Sequence, residues 1–205
     1  MTWSPYVFES LKLTNHKELY RNALKNLSAL VLVVLSTLIL FLPEIVHLAA
    51  PPEYSSTVNA IVLIMIAFGV QALQQIVMVG FGISKKTYQY SILSILSVAV
   101  NILLLLWLVP GWGVFGVGIA FLVGNIFRFA VGLYLSERLY PVGYNLSPLL
   151  LHFLVIGLVA VFVSTLDIAL ILRLIMALIV TSAVVFIHLD ELKVIFNKQS
   201  TEELK

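Results

Sequence analysis

Six uninterrupted apolar stretches, 27–49, 57–82, 88–109, 112–135, 148–164 and 168–188, dominate this sequence and leave it few ways to fold. A hydrocarbon core about 30 Å thick is crossed by about 20 residues of helix, and each stretch is near that length, the fifth being the shortest. Inside lipid no water is available to exposed amides, so the backbone must satisfy itself, which connected runs of this kind do as helices. The expected fold is all-α: a polytopic membrane protein of six transmembrane helices whose brief connections pack neighbours antiparallel. Composition agrees, with 61% hydrophobic and 11% charged residues, whereas a soluble domain is about half apolar and about a quarter charged.

Basic residues orient the bundle. Lys12, Lys17, Arg21 and Lys25 precede the first span, Lys85 and Lys86 follow the second, Arg138 follows the fourth, and Lys193, Lys198 and Lys205 follow the sixth. The alternate connections carry none, so the positive-inside rule places both termini in the cytoplasm. Domains follow: a cytosolic or interfacial amphipathic segment at 1–26, the six-span region at 27–188, and a cytosolic tail at 189–205. Asn15 and Glu18 have the spacing of a capping box, and Leu19, Tyr20, Ala23 and Leu24 form a helical face running into the first span. Residues 1–26 are too polar for a cleavable signal peptide, so the first apolar run is expected to stay as an anchor.

Several function classes lose support at once. With no cysteine there are no disulfides and no thiolate chemistry, and a net charge of +2 gives no reason to expect a nucleic-acid partner. His188, Asp190 and Glu191 lie together at the last membrane exit, but no second histidine-bearing element supplies metal-ligand spacing, so they read as a polar helix end. Neither a cofactor nor an enzymatic constellation is expected.

The motif PGWGVFG at 110–116 contains Gly111, Gly113 and Gly116 at dinucleotide-turn spacing, with Glu137 about where a ribose-binding acid would stand. That fingerprint needs a strand before it and a crossover helix after it, and here both flanks are membrane spans. Pro110 and Gly111 therefore read as a tight extracytoplasmic turn. Beyond it Gly116, Ala120 and Gly124 recur every four residues, a small-residue face that lets another helix backbone approach closely.

Polar groups within the spans are the functional candidates, because a central arginine costs about 2.5–3.5 kcal/mol on insertion scales. Arg128 either faces a hydrated cavity, where it would hold a phosphate, or snorkels to the cytoplasmic headgroups. Gln71, Gln74 and Gln75, at i, i+3 and i+4, gather three amides on one face near the bilayer middle. They either line a polar path, bonding sugar hydroxyls, or join helices; Asn101 and Asn125 suit the second role, and Asn125, beside Arg128, is also a path candidate. Glu44, one turn before His47, is a candidate for proton coupling or simply a hydrated acid. Arg173 is expected to snorkel outward, toward Asp167, and His152 to sit at the interface.

Trp3-Ser4-Pro5-Tyr6 with the charged stretch behind it, FLPEIVHLAAPPEYSS at 41–56, Gly82-Ile83-Ser84-Lys85-Lys86-Thr87, and Asn101 followed by LVPGWGVFGVGIA at 108–120 together resemble the carboxy-terminal part of polysaccharide flippases. These belong to the multidrug/oligosaccharidyl-lipid/polysaccharide exporter superfamily. The likeness covers roughly residues 3–140, and the last two spans match in hydropathy alone. It implies transport of a polyprenyl-diphosphate-linked oligosaccharide across a bacterial inner membrane by two six-helix lobes rocking about a central cavity. Family members have twelve or fourteen spans, so the resemblance aligns this chain with the last six and implies a missing amino-terminal half or a second copy as partner. It also implies a groove for the lipid tail around 148–188. The alternative is a non-transporting membrane scaffold or assembly subunit of polysaccharide biosynthesis.

Overall fold

The computed structural model describes residues 3–51, 57–165, 172–182 and 184, and all regular structure among them is helical. In chain order the helices are α1 (Trp3–Ser10), α2 (His16–Leu40), α3 (Leu42–Ala49), α4 (Val58–Val77), α5 (Val79–Ile83), α6 (Thr87–Leu139), α7 (Ser147–Thr165) and α8 (Leu172–Ser182). Among the described residues three segments are long and apolar enough to cross a membrane: α2, the α4–α5 unit Val58–Ile83, and α6; α7 and α8 are apolar but shorter. Both ends of the sixth expected span and the whole tail lie outside the described residues.

Local chemistry sets the breaks. α2 begins at His16, well before the apolar run, because Tyr20 and Leu24 continue its buried face downward. Asn15 does stand at the N-cap, but its side chain makes no capping bond; its carbonyl accepts the Glu18 and Leu19 amides instead. The first expected span is not one helix, since α2 stops at Leu40 and α3 restarts with Pro43 in its first turn. A proline there lacks the amide that would continue α2, yet its fixed φ suits a new first turn.

α6 contains 53 residues but is no straight rod. Gly113 has φ 54° and ψ −135°, a conformation open to glycine, and there the chain doubles back. A Cβ on Gly116 would lie 2.7 Å from the Leu108 carbonyl oxygen, one on Gly124 2.8 Å from the Asn101 amide, and one on Gly132 3.2 Å from Leu93. Those pairs are the register of an antiparallel hairpin with arms 87–112 and 114–139. The reversal thus falls at Gly113 rather than at the expected Pro110–Gly111, both of which remain helical.

α2 packs on α7 and α4, and α4 packs on the α6 hairpin. Leu35, Ile39, Leu40, Leu73, Val77 and Ile156 form the centre of the core. Lipid is as apolar as leucine, so sequestering such side chains gains little on its own; close packing and interhelical hydrogen bonds hold the bundle. Close approach is visible where a Gly118 Cβ would meet the Ala60 carbonyl at 2.9 Å, and where the Gly80 amide donates to Ser136 Oγ at 3.0 Å.

The basic connections meet at one end of the bundle. Arg21 Nε donates to the Val142 carbonyl at 2.8 Å, Lys17 Nζ stands 5.2 Å from the Tyr140 ring centre, and Ser84 Oγ donates to the Leu139 carbonyl at 3.3 Å. By helix direction, α3 and the hairpin tip at Gly113 lie at the other end.

Candidate polar groove between α4 and the α6 hairpin

Tyr90, Ser94, Ser97 and Asn101 are spaced by four, three and four residues, which stacks them on one face of the first hairpin arm. Gly124, Asn125 and Arg128 face them from the second arm, and α4 closes the third side with Gln71. Gln71, Ser94, Ser97, Asn101, Asn125 and Arg128 line a cavity of about 280 Å³. Sequence reasoning missed Tyr90, Ser94 and Ser97, although their helical spacing was there to be seen.

Arg128 turns into the hairpin. Its Nη2 donates to Tyr90 Oη and to Ser94 Oγ, each at 3.0 Å, and its guanidinium carbon sits 5.5 Å from the Tyr90 ring centre. Its Nε is buried without a hydrogen-bond acceptor. A cation held this way in a low-dielectric cleft keeps unspent donor capacity toward any anion entering the cavity.

The three glutamines share a face but not an environment. Gln74 is 3% exposed and donates from Nε2 to the Asn125 carbonyl at 3.3 Å. Gln71 borders the Arg128 cavity, while Gln75 borders a second cavity of about 210 Å³, lined also by Val7, Phe8, Gln74, Met78 and Tyr90. Asn125 Nδ2 donates to the Phe121 carbonyl of its own helix at 2.9 Å, and Asn101 lies across Gly124. Of the three small residues, Gly116 and Gly124 lie inside the hairpin and Ala120 is fully buried.

Glu44 lies apart from this groove, beside an open cavity of about 410 Å³ lined by Pro43, His47 and Leu48. It forms an ion pair with Arg173. Arg173 does not turn outward as expected: it is 6% exposed, and Nη1 also reaches the Leu40 carbonyl at 3.4 Å. A guanidinium buried among apolar side chains needs a countercharge, and α3 supplies it. Asp167, its expected partner, lies outside the described residues, as do His188, Asp190 and Glu191. His152, expected at the interface, is packed inside the bundle at 9% exposure, with Nδ1 2.9 Å from Ser28 Oγ.

No family model matches the chain, and neither a curated protein nor a solved structure matches it. The groove's chemistry must be read from its own residues. It offers one cation, several amides and several hydroxyls inside an apolar bundle, an assortment suited to holding an anionic, hydroxyl-rich group. Among the described residues no cluster of histidine and acidic side chains could hold a metal ion.

Proposed function

We propose that this chain is part of a membrane transporter that flips lipid-linked polysaccharide precursors across a bacterial cytoplasmic membrane by alternating access. The observation that carries the reading is Arg128 in a cavity lined by amides and hydroxyls between predominantly apolar helices. Ionisable groups so placed mark substrate paths. A diphosphate suits a guanidinium fork, and sugar hydroxyls suit Gln71, Asn101 and Asn125, while the polyprenyl tail stays in lipid. Six spans with both ends cytoplasmic accord with the basic connections gathered at one end. A missing amino-terminal half or a second copy completes the cavity, and Glu44 is a coupling candidate through its bond to Arg173.

The test is translocation of a polyprenyl-diphosphate oligosaccharide in proteoliposomes, with the chain alone and with a candidate amino-terminal half. Arg128→Gln abolishes transport while leaving the protein folded; transport at the parent rate by that variant refutes the reading.

A scaffold role is the second reading, favoured by the bonds of Arg128 to Tyr90 and Ser94 and of Gln74 to Asn125, which join helices. Replacing Gln71, Gln74 and Gln75 with leucine separates the two. A scaffold loses association or stability, whereas a transporter loses flux in a folded protein.

A further inference from the structure

The two cavities of the cleft lie one helical turn apart along α4, for Gln71 borders one and Gln75 the other, and two hydrogen bonds join their linings. Tyr90 lines the smaller cavity, beside Val7 and Phe8 of α1, and its hydroxyl accepts the hydrogen bond from Arg128, which lines the larger one. Gln74, also lining the smaller cavity, bonds the carbonyl of Asn125, which lines the larger. One bridge is between side chains, and the other runs from the Gln74 side chain to the Asn125 main chain.

We infer that the Tyr90–Arg128 bridge is a gate between two sections of one hydrophilic path, with Tyr90 as the positioning residue that holds the guanidinium across it. The Tyr90–Arg128 bridge joins two side chains, so it opens by bond rotation without helices having to part. The Tyr90 hydroxyl and Ser94 Oγ hold the same guanidinium nitrogen, so an anion that draws Arg128 away releases both contacts together. The Arg128 Nε, buried and without an acceptor, leaves the cation a donor to offer such a visitor. This inference concerns passage between the cavities and does not depend on which cargo is carried.

The absence of cysteine from the chain gives a clean background for thiol accessibility. The full chain in lipid nanodiscs, carrying Ser97→Cys in the larger cavity, is treated with a charged, membrane-impermeant thiol reagent; Gln75→Cys reports the smaller cavity. Gln75→Cys labels readily whether or not Tyr90 is altered. Ser97→Cys labels slowly in the parent and about tenfold faster with Tyr90→Phe, the shift expected on losing one hydrogen bond to a charged group. Arg128→Gln gives a like gain, and the double variant labels no faster than the faster single, because both changes open one bridge. Ser94→Ala, which withdraws the other acceptor, gives a smaller gain and serves if Tyr90→Phe lowers the melting temperature. The gate is overturned if neither Tyr90→Phe nor Ser94→Ala changes labelling at Ser97→Cys, if the parent background already labels there as fast as at Gln75→Cys, or if the single gains multiply.

Discussion

Alanine at individual glycines should change stability with a sign that depends on which atoms the added methyl meets. At Gly80 the new carbon would stand 2.5 Å from the Ser136 carbonyl oxygen and 3.1 Å from its carbon. Both belong to the main chain, so α5 and the second hairpin arm must separate by about 1 Å to restore ordinary contact. That overpacking costs about 1–3 kcal/mol, and the Gly80 N–H bond to Ser136 is weakened besides; the better helix propensity of alanine returns up to about 1 kcal/mol. A net loss of about 1–3 kcal/mol follows. Gly116→Ala belongs with it, since Leu108 main-chain atoms at 2.7 and 2.9 Å block it. Gly132→Ala meets the Met78 Cε at 2.5 Å and a Leu93 methyl at 3.2 Å, both ends of side chains that can move aside and neither of them main chain, so its loss is smaller than that of Gly80→Ala. Gly157→Ala meets nothing within 4 Å and should be neutral or stabilising by up to about 1 kcal/mol. Reversible unfolding in mixed micelles of rising sodium dodecyl sulfate content gives the four free energies. Should Gly80→Ala prove as stable as Gly157→Ala, the close main-chain approach argued for α5 is wrong.

Two further perturbations address the ends of the bundle. Glu44→Gln strands the buried Arg173 and lowers stability by about 1–3 kcal/mol, below the usual cost for a buried pair because the Glu44 side chain is 35% exposed; adding Arg173→Met restores most of it, and an equal loss in the double variant would contradict the pairing. Burial, then the nearby Glu137 and Tyr20, push the Tyr144 phenol above its ordinary 10.0. A raised folded-state value means stability is complete below about pH 10 and is lost as pH climbs beyond it, where the unfolded chain releases the proton first. Tyr144→Phe also removes the 2.9 Å bond to the Ile76 carbonyl, costing about 1 kcal/mol near neutrality and flattening the alkaline fall; parallel unfolding curves for parent and variant between pH 9 and 12 would exclude this.

The helical class was readable because lipid gives a run of apolar residues only one economical backbone solution. Boundaries were harder. Gly111, Gly113 and Gly116 each could have turned the chain, and the backbone angles of Gly113 with the cross-arm contacts show that Gly113 does; the break after Leu40 was missed, although Pro43 lacks the amide that would continue α2. Spacing correctly put Gln71, Gln74 and Gln75 on one face, but their separate surroundings come from α1 and the hairpin, which spacing within α4 cannot report. Tyr90, Ser94 and Ser97 escaped notice because serines in membrane helices bond their own preceding turn, as Ser94 and Ser97 do here. The Glu44–Arg173 pair joins residues 129 apart, and nothing local at either position points to the other.

The hairpin also orders events at the ribosome. Synthesis proceeds from the amino terminus, so the arm bearing Tyr90 and Ser94 is made before the one bearing Arg128. When the arginine reaches the insertion machinery, its two oxygen partners are already waiting beside it, and the pair of helices can move sideways into lipid as one object. Detaching residues 114–139 and asking them to insert alone would expose the guanidinium without those partners, a penalty that the nascent chain avoids by sequence order alone.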